Sequence, residues 1–180
     1  MIIHYSEKNE KEIINEAIKI LRSGGLIVYP TDTIYGIACD ATNKRAVNKI
    51  YKIKKRPKNK PLSILCSSKN MASKYVKGSK KILPGKYTFI LPARKKLPIH
   101  DNVSDNNIGI RIPNHWCTKL ARALGKPITA TSANISGKKT PVTIKQIEKT
   151  FSSKVALYIN AGKLNRPPSK VYSPEGKRIR

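Results

Sequence analysis

LIVYPTDTIYG, residues 26–36, is the stretch of sequence that decides the fold. Its first four residues form a short, partly β-branched apolar run, which is typical of a buried strand that ends at Pro30. Thr31, Asp32 and Thr33 follow at once. Because open α/β sheets place ligand-binding groups just beyond the ends of their strands, the stretch predicts both such a sheet and a polar site beside it.

Helical and strand-like segments alternate on both sides of this stretch. Apolar residues recur at helical spacing near 9–24, 46–53, 115–124 and 143–151, with a weaker helix at 70–76. Asn9 with Glu12 predicts a capping box for the first helix, and Thr143 predicts a cap for the last. Further strands are predicted at 62–66, 87–91, 108–112, 128–130 and 155–159. The alternation predicts one α/β domain over residues 1–180, with a twisted mixed sheet and flanking helices.

The chain is strongly basic, with 37 Lys and Arg against 10 Asp and Glu, a formal net charge of +27. Such a field attracts polyanions. Because the basic residues are scattered along the chain, compositional bias explains the charge equally well, so charge alone leaves contact with a nucleic acid open.

The chain has the marks of a cytoplasmic protein with no membrane partner. No apolar stretch is long enough to span a bilayer, and the first residues lack the features of a secretory signal. Cys39, Cys66 and Cys117 are far apart with no CxxC spacing. We therefore expect buried, reduced thiols rather than disulfides or a zinc site.

Two further groups of polar residues follow regular segments. Lys54 and Arg56 stand at the end of a helical pattern, with Lys60 close behind. A lysine point charge and an arginine fork suit phosphate oxygens, although a solvated basic helix end explains the same residues taken alone. Ser132 and Asn134 follow a strand at a spacing that turns both side chains to one side of an extended backbone.

Arg111 lies inside an apolar strand, where desolvating an unpaired charge is costly. Because acidic residues are so few, we expect its partner to be a ligand carboxylate or phosphate; a surface-facing strand position is the alternative. Together with the hydroxyls of Thr31 and Thr33, these cations predict a site for a nucleotide and a small carboxylate. A Pro-initiated turn with Asp32 in its usual role is the simpler interpretation of that stretch.

Other catalytic chemistries find little support in the sequence. It has no histidine pair at metal-binding spacing and no GxSxG motif. The stretch 137–140, GKKT, fails the pattern of a Walker-type loop because Ser132 occupies the place of its first glycine. Catalysis is therefore predicted to rest on positioning and charge neutralisation, with no metal bound by the protein itself.

Five short motifs in register resemble the YrdC-like family, the threonylcarbamoyl-AMP synthases. They are PTDTxYG at 30–36, KxR at 54–56, PGxYT at 84–88, RxP at 111–113 and TSANxSG at 131–137. The resemblance covers about residues 11–171. It implies a twisted α/β sheet around a large, basic, concave cavity.

The resemblance also implies a reaction. L-Threonine, bicarbonate and ATP, with Mg²⁺ carried by ATP, would give threonylcarbamoyl-adenylate and pyrophosphate. The tRNA threonylcarbamoyltransferase machinery would then use the product to modify adenosine 37 of tRNA. The residues predicted to bind ATP, the first two of them also catalytic, are Lys54, Arg56, Lys60, Ser132, Asn134 and Arg180. Those predicted to bind threonine are Thr33, Arg111 and Ser169, with supporting roles for Thr31, Asp32 and Tyr35.

Some positions depart from the family pattern. Leu65 stands where many relatives carry a histidine, so one contact to threonine is predicted to be missing. Lys170 is unusual in the stretch that includes Ser169, and Arg178 is the alternative to Arg180 as the C-terminal arginine. The Pro- and Lys-rich tail, residues 165–180, is expected to be ordered in part by ligand or to form a lid.

An RNA-binding protein on the same scaffold, without synthase activity, is the alternative function. A basic concave surface suits double-stranded RNA or tRNA, and direct contact with either is compatible with the net charge. The clustered polar side chains argue for the synthase, because RNA binding alone does not need Thr33, Arg111, Ser132 and Asn134 together.

Overall fold

The computed structural model describes residues 1–100 and 106–179, without the side chain of His100. Within these residues the strands are β1 (Ile2–His4), β2 (Ile27–Tyr29), β3 (Gly36–Ala38), β4 (Ser63–Leu65), β5 (Tyr87–Pro92), β6 (Asn107–Arg111), β7 (Ile128–Ser132), β8 (Leu157–Asn160) and β9 (Lys170–Tyr172). The helices are α1 (Glu10–Arg22), α2 (Lys44–Ile53), α3 (Lys69–Ser73), α4 (Thr118–Leu124) and α5 (Ile144–Phe151).

The strands form one mixed sheet in the order β1-β8-β2-β3-β7-β4-β6-β5-β9. Neighbours are parallel at β1/β8, β2/β8, β4/β6 and β5/β9, and antiparallel at the other four junctions. The predicted α/β class, the twisted mixed sheet and its flanking helices are confirmed. The edge strands β1 and β9 and the central strand β3 are additions that the hydrophobic pattern did not predict.

Strand β3 depends on a close approach between Gly36 and Tyr29. The two residues are cross-strand partners. A Cβ atom at position 36 would lie 2.9 Å from the Tyr29 ring. The absence of a side chain therefore lets β3 pair closely with β2, and the same absence removes the apolar signal by which a strand is recognised.

Helices pack against both faces of the sheet. One face packs against α2 and α5, with Val28, Ile37 and Ile64 among the strand residues in that cluster. The other face packs against α1 and α4 over a second cluster, whose strand residues are Ile27, Tyr29, Ala38, Leu65, Ile128, Leu157 and Ile159. Both clusters consist of buried residues, so the sheet has an apolar core on each of its faces.

The helix caps follow one prediction and depart from another. Thr143 caps α5 as predicted, accepting from the backbone N–H of Gln146. The predicted capping box of Asn9 and Glu12 is wrong. The Asn9 side chain instead closes the preceding turn, because its Oδ1 accepts from the Ser6 N–H at 2.9 Å and its Nδ2 donates to the His4 carbonyl at 2.8 Å.

Two bulk predictions can be compared directly with the structure. All three cysteines are buried and free, as expected. Among the described residues, no helix has the length and apolar character needed to cross a bilayer.

Candidate active site

A cavity of about 520 Å³ opens on the sheet face that α1 and α4 cover only in part. Side chains two residues apart on a strand share a face. Gly36, Ser63 and Ala130 therefore continue the face of the buried Ala38, Leu65 and Ile128, and they form the floor of the cavity. Its volume falls in the usual range for small-ligand sites, roughly 300–1,000 Å³.

The walls bring together residues from distant parts of the chain. The remaining lining residues are Tyr29, Thr31, Thr33, Ile34, Tyr35, Arg56, Thr88, Arg111, Thr131, Ser132, Asn134, Gly137, Lys138, Thr140, Pro168, Ser169 and Val171. Hydroxyls, one amide and three cations dominate this set, and no carboxylate is in it. The predicted basic, concave cavity is thus present, and its composition suits an anionic ligand.

Thr31 forms the turn after β2. Its Oγ1 accepts from the N–H groups of Thr33 and Ile34 at 3.1 and 3.2 Å and donates to the Ile34 carbonyl at 2.7 Å. Since that donor is used, the 3.0 Å contact between the two threonine hydroxyls has Thr33 donating to Thr31. Thr31 is therefore a structural residue of the turn, and it orients Thr33 in the cavity wall.

Arg111 has a partner within the chain. Its Nη2 forms an ion pair with Asp32 Oδ1 and also donates to Thr33 Oγ1 at 3.0 Å. We expected a ligand to be the partner of Arg111, with a surface-facing position as the alternative; the structure shows neither, because the residue is buried and paired within the chain. Asp32, one of very few acidic residues in the chain, lies in the adjoining turn and supplies the missing charge.

The guanidinium of Arg111 nevertheless remains open to a ligand. Its Nε is buried without a hydrogen-bond partner, as is Asp32 Oδ2. No described residue accepts from Nη1, and Arg111 lines the cavity. Asp32 and Thr33 thus hold Nη2, and Nε and Nη1 are the nitrogens without an acceptor among the described residues.

Lys54 is placed differently from its predicted role. Its side chain is only 1% exposed and is not among the cavity-lining residues. Its Nζ donates to the carbonyls of Ser132 and Asn134 at 2.5 and 2.6 Å. Burial, followed by the nearby charge of Arg56, lowers the pKa of Lys54 to about 7. Lys54 therefore holds the loop after β7, and direct contact with phosphate stays a prediction.

Ser132 and Asn134 do turn to the same side, and they bind each other. The Ser132 hydroxyl donates to Asn134 Oδ1 at 2.5 Å. The Asn134 amide nitrogen donates to the carbonyls of Ile135 and Lys138 at 2.9 and 2.6 Å. The two side chains consequently shape the loop 132–138 as well as lining the cavity.

Arg56 reaches the cavity and Lys60 does not. Arg56 donates from Nε to the Lys60 carbonyl at 2.9 Å and from Nη2 to the Pro61 carbonyl at 2.8 Å. Partial burial lowers the pKa of Arg56, although the group stays charged near neutrality. Lys60 is exposed and contributes its backbone to the site, so ATP binding by its side chain stays a prediction.

The tail forms part of the cavity wall through β9. Ser169, just before this strand, is buried and lies 2.9 Å from the Thr88 hydroxyl, and both line the cavity. Lys170 is exposed and its N–H donates to the Lys86 carbonyl at 2.9 Å, which holds β9 against β5. Arg178 forms a backbone bridge with Tyr172 outside the cavity lining, and Arg180 lies outside the described residues.

Tyr35 links the turn after β2 to the segment that follows β8. Its hydroxyl accepts from the Ala161 N–H at 3.0 Å and donates to the Gly162 carbonyl at 2.7 Å. From this segment Arg166 reaches back to the Asp32 carbonyl at 3.3 Å. The supporting role predicted for Tyr35 is thus consistent with its contacts.

Sequence reasoning gave no role to several of the cavity-lining residues. Thr88, Lys138 and Thr140 lie within or just after the quoted motifs, so closer attention to those motifs could have found them. Ser63 carries no such signal, since only its place on the sheet face brings it to the floor. Leu65, expected from the resemblance to stand at the position of a histidine in many relatives, is fully buried in the cluster under α1 and α4 and does not line the cavity.

Fold and site together define an α/β protein with a cation-lined cavity whose composition suits an anionic ligand. The chain belongs to the Sua5/YciO/YrdC family, because the family model described as telomere recombination matches residues 19–180. The resemblance found in the sequence is therefore confirmed.

Individual relatives support the same assignment. The putative threonylcarbamoyl-AMP synthase of Methanocaldococcus jannaschii is 40% identical, over 99% of this chain and 88% of its own length. The threonylcarbamoyl-AMP synthase of Pseudoalteromonas translucida is 31% identical, over 84% of this chain and 87% of its own. These names support the predicted synthase rather than the alternative of an RNA-binding protein without that activity.

A solved structure shares the fold. P. abyssi Sua5 complexed with L-threonine superposes with a TM-score of 0.87 at 30% identity and matches 96% of this chain. The match covers 54% of the Sua5 chain, so this protein spans about half of that relative's length.

Proposed function

We propose that this protein is a threonylcarbamoyl-AMP synthase, which converts L-threonine, bicarbonate and ATP into threonylcarbamoyl-adenylate and pyrophosphate. The observation that carries the proposal is the meeting of the motif residues Thr33, Arg56, Arg111, Ser132 and Asn134 in one cavity. Relatives that are named for this activity and match most of the chain support it.

Threonine would bind at the Arg111 side of the cavity. Arg111 Nη1 can donate to the carboxylate, while Asp32 and Thr33 hold the rest of the guanidinium in place. The hydroxyl pair of Thr88 and Ser169 can exchange hydrogen bonds with the polar groups of the amino acid. The structure of the P. abyssi relative with L-threonine is consistent with this choice of substrate.

ATP would occupy the side formed by Arg56 and the loop after β7. Arg56 offers a charged group to the phosphates, and Ser132 and Asn134 shape the adjoining wall. Among the described residues there is no group of three or more His, Cys, Asp or Glu side chains that could hold a metal ion. Mg²⁺ would therefore enter with ATP as part of the substrate.

The reaction would proceed in two steps. The threonine amine attacks the bicarbonate carbon, and loss of water leaves a carbamate. A carbamate oxygen then attacks the α-phosphorus of ATP, and the bond to the bridging oxygen breaks so that pyrophosphate leaves. Arg56 would offset the negative charge that develops on the phosphates, while the fixed cavity holds both reactants in line.

The test uses the whole chain with ATP·Mg²⁺, threonine and ¹⁴C-bicarbonate. We expect pyrophosphate release together with a labelled adenylate, and neither should form when threonine is omitted. ATP binding without pyrophosphate release would overturn the proposal. Binding of tRNA or double-stranded RNA that falls steeply with salt and ignores both small substrates would favour the alternative function. Transfer of the adenylate to the tRNA-modifying machinery, direct RNA contact and a cytoplasmic location remain predictions.

A further inference from the structure

Three cationic side chains line the cavity in the described part of the chain: Arg56, Arg111 and Lys138. The charge of Arg111 is matched by Asp32. Two other lysines were predicted to bind the phosphates. The side chain of Lys54 is bound to the loop after β7, and Lys60 is exposed to solvent. Arg56 and Lys138 are therefore the two cavity cations that no carboxylate of the described chain neutralises.

The backbone at Lys138 is held firmly while its side chain is not. The Lys138 carbonyl accepts from the Asn134 amide at 2.6 Å, and its N–H donates to the Ile135 carbonyl at 3.0 Å. Gly137 precedes it with a φ of 79°, a conformation that glycine adopts without strain. No hydrogen bond or ion pair joins the Lys138 ammonium to a described residue, so the ammonium is available to a ligand.

Lys54 determines where this backbone lies. Its ammonium holds the carbonyls of Ser132 and Asn134, and the Asn134 side chain in turn holds the carbonyl of Lys138. A continuous run of hydrogen bonds thus leads from the buried lysine to the exposed one. The first lysine acts by positioning, and the second presents its charge to the cavity.

We propose that Lys138 binds the polyphosphate of the nucleotide, acting with Arg56, and that Lys54 contributes by holding the loop that carries Lys138. This proposal deepens the proposed function and rests on it for the identity of the ligand. A flexible lysine is suited to the task because its ammonium can follow phosphate oxygens as they change position and charge.

Lys139 provides the matched control. It is the next residue, is also exposed, carries the same charge and is not among the cavity-lining residues. The experiment compares Lys138→Gln with Lys139→Gln in the whole chain, by titration calorimetry with α,β-methylene-ATP. Lys138→Arg keeps the charge and tests for rescue.

We expect Lys138→Gln to weaken binding of the analogue about 10-fold, the size expected for a lost charge-assisted contact. Lys139→Gln and Lys138→Arg should stay within about twofold of wild type, and the Lys138→Gln defect should shrink at high salt because exposed charges are screened. Threonine binding should not change in any variant.

Two results would overturn the proposal: wild-type affinity in Lys138→Gln, or an equal loss in Lys139→Gln, which would show a general effect of charge. Failure of the proposed function looks different. In that case wild type binds the analogue, with the Lys138→Gln defect intact, yet forms no adenylate from ATP, threonine and bicarbonate.

Discussion

Arg111 and Asp32 form an ion pair from which solvent is largely excluded, with each side chain only 9% exposed. The carboxylate comes from the turn after β2 and the guanidinium from β6. The pair therefore joins two distant segments at the wall of the cavity. It also sets the orientation in which Arg111 can meet a substrate.

Replacing Asp32 by Asn should be costly, because Arg111 would keep its charge in a buried site without a counter-ion. We expect the free energy of unfolding to fall by about 3 kcal/mol, measured by urea denaturation, and the KM for threonine to rise. Glu16→Gln is the control, since it breaks the exposed pair with Lys19 and should leave stability unchanged within error. Equal stability of both variants would contradict this account of the buried pair.

Lys54 should make stability depend on pH in a definite direction. Its pKa is lowered from 10.5 to about 7 by burial and by Arg56, so between these values the unfolded chain binds more protons at Lys54 than the folded chain does. The free energy of unfolding due to this residue must then rise with pH, and the charged amine is most unfavourable below pH 7. Relative to Lys54→Met, wild type should gain about 1 kcal/mol between pH 7.5 and 8.5. A stability difference that is flat in urea titrations over this range would refute the assignment.

Gly36→Ala should strain the sheet, because the new methyl group would press on the buried Tyr29 ring. We expect a loss of about 2 kcal/mol in thermal or urea unfolding. Adding Tyr29→Leu should relieve the contact. The double variant should therefore lose about 1 kcal/mol less stability than the two single losses added together. Simple additivity would show that the ring does not restrict position 36.

Tyr35→Phe should release the segment after β8, because the Ala161 N–H loses its acceptor and the Gly162 carbonyl its donor. We expect a loss of about 1–2 kcal/mol in stability and faster hydrogen exchange at the Ala161 amide. Tyr158→Phe is the control, since it removes a similar 2.7 Å bond to the Ser152 carbonyl elsewhere. Exchange at Ala161 that is the same in both variants would contradict the role of Tyr35.

The apolar pattern predicted the parts of the fold in which local signals agree with packing. Thr143 and the periodic residues after it fix α5, and the β-branched runs fix β2 and β6. Strand β3 was missed because Gly36 carries no side chain, and β9 because its three residues begin with an exposed lysine and are too few to show an apolar alternation. The pairing of β9 with β5 is visible only in the folded chain.

The sequence predicted which residues form the candidate site better than it predicted what each side chain contacts. The motifs located Thr33, Arg56, Arg111, Ser132 and Asn134, and these residues all reach the cavity. The direction of the Lys54 side chain and the partner of Arg111 could not be predicted, since each depends on which backbone or carboxylate oxygens the fold brings near. A lysine such as Lys54 suits phosphate, but once buried its ammonium donates to backbone carbonyls.

The small residues Gly36, Ser63 and Ala130 on the cavity floor have a consequence for how such a protein can diversify. The depth of the cavity depends on the small size of these three side chains. A single added methyl group at Ala130 would reduce the depth of the cavity and leave its cationic side chains unchanged. The size and the charge of the ligand that the cavity accepts can thus change through separate substitutions, the first in the strands and the second in the loops.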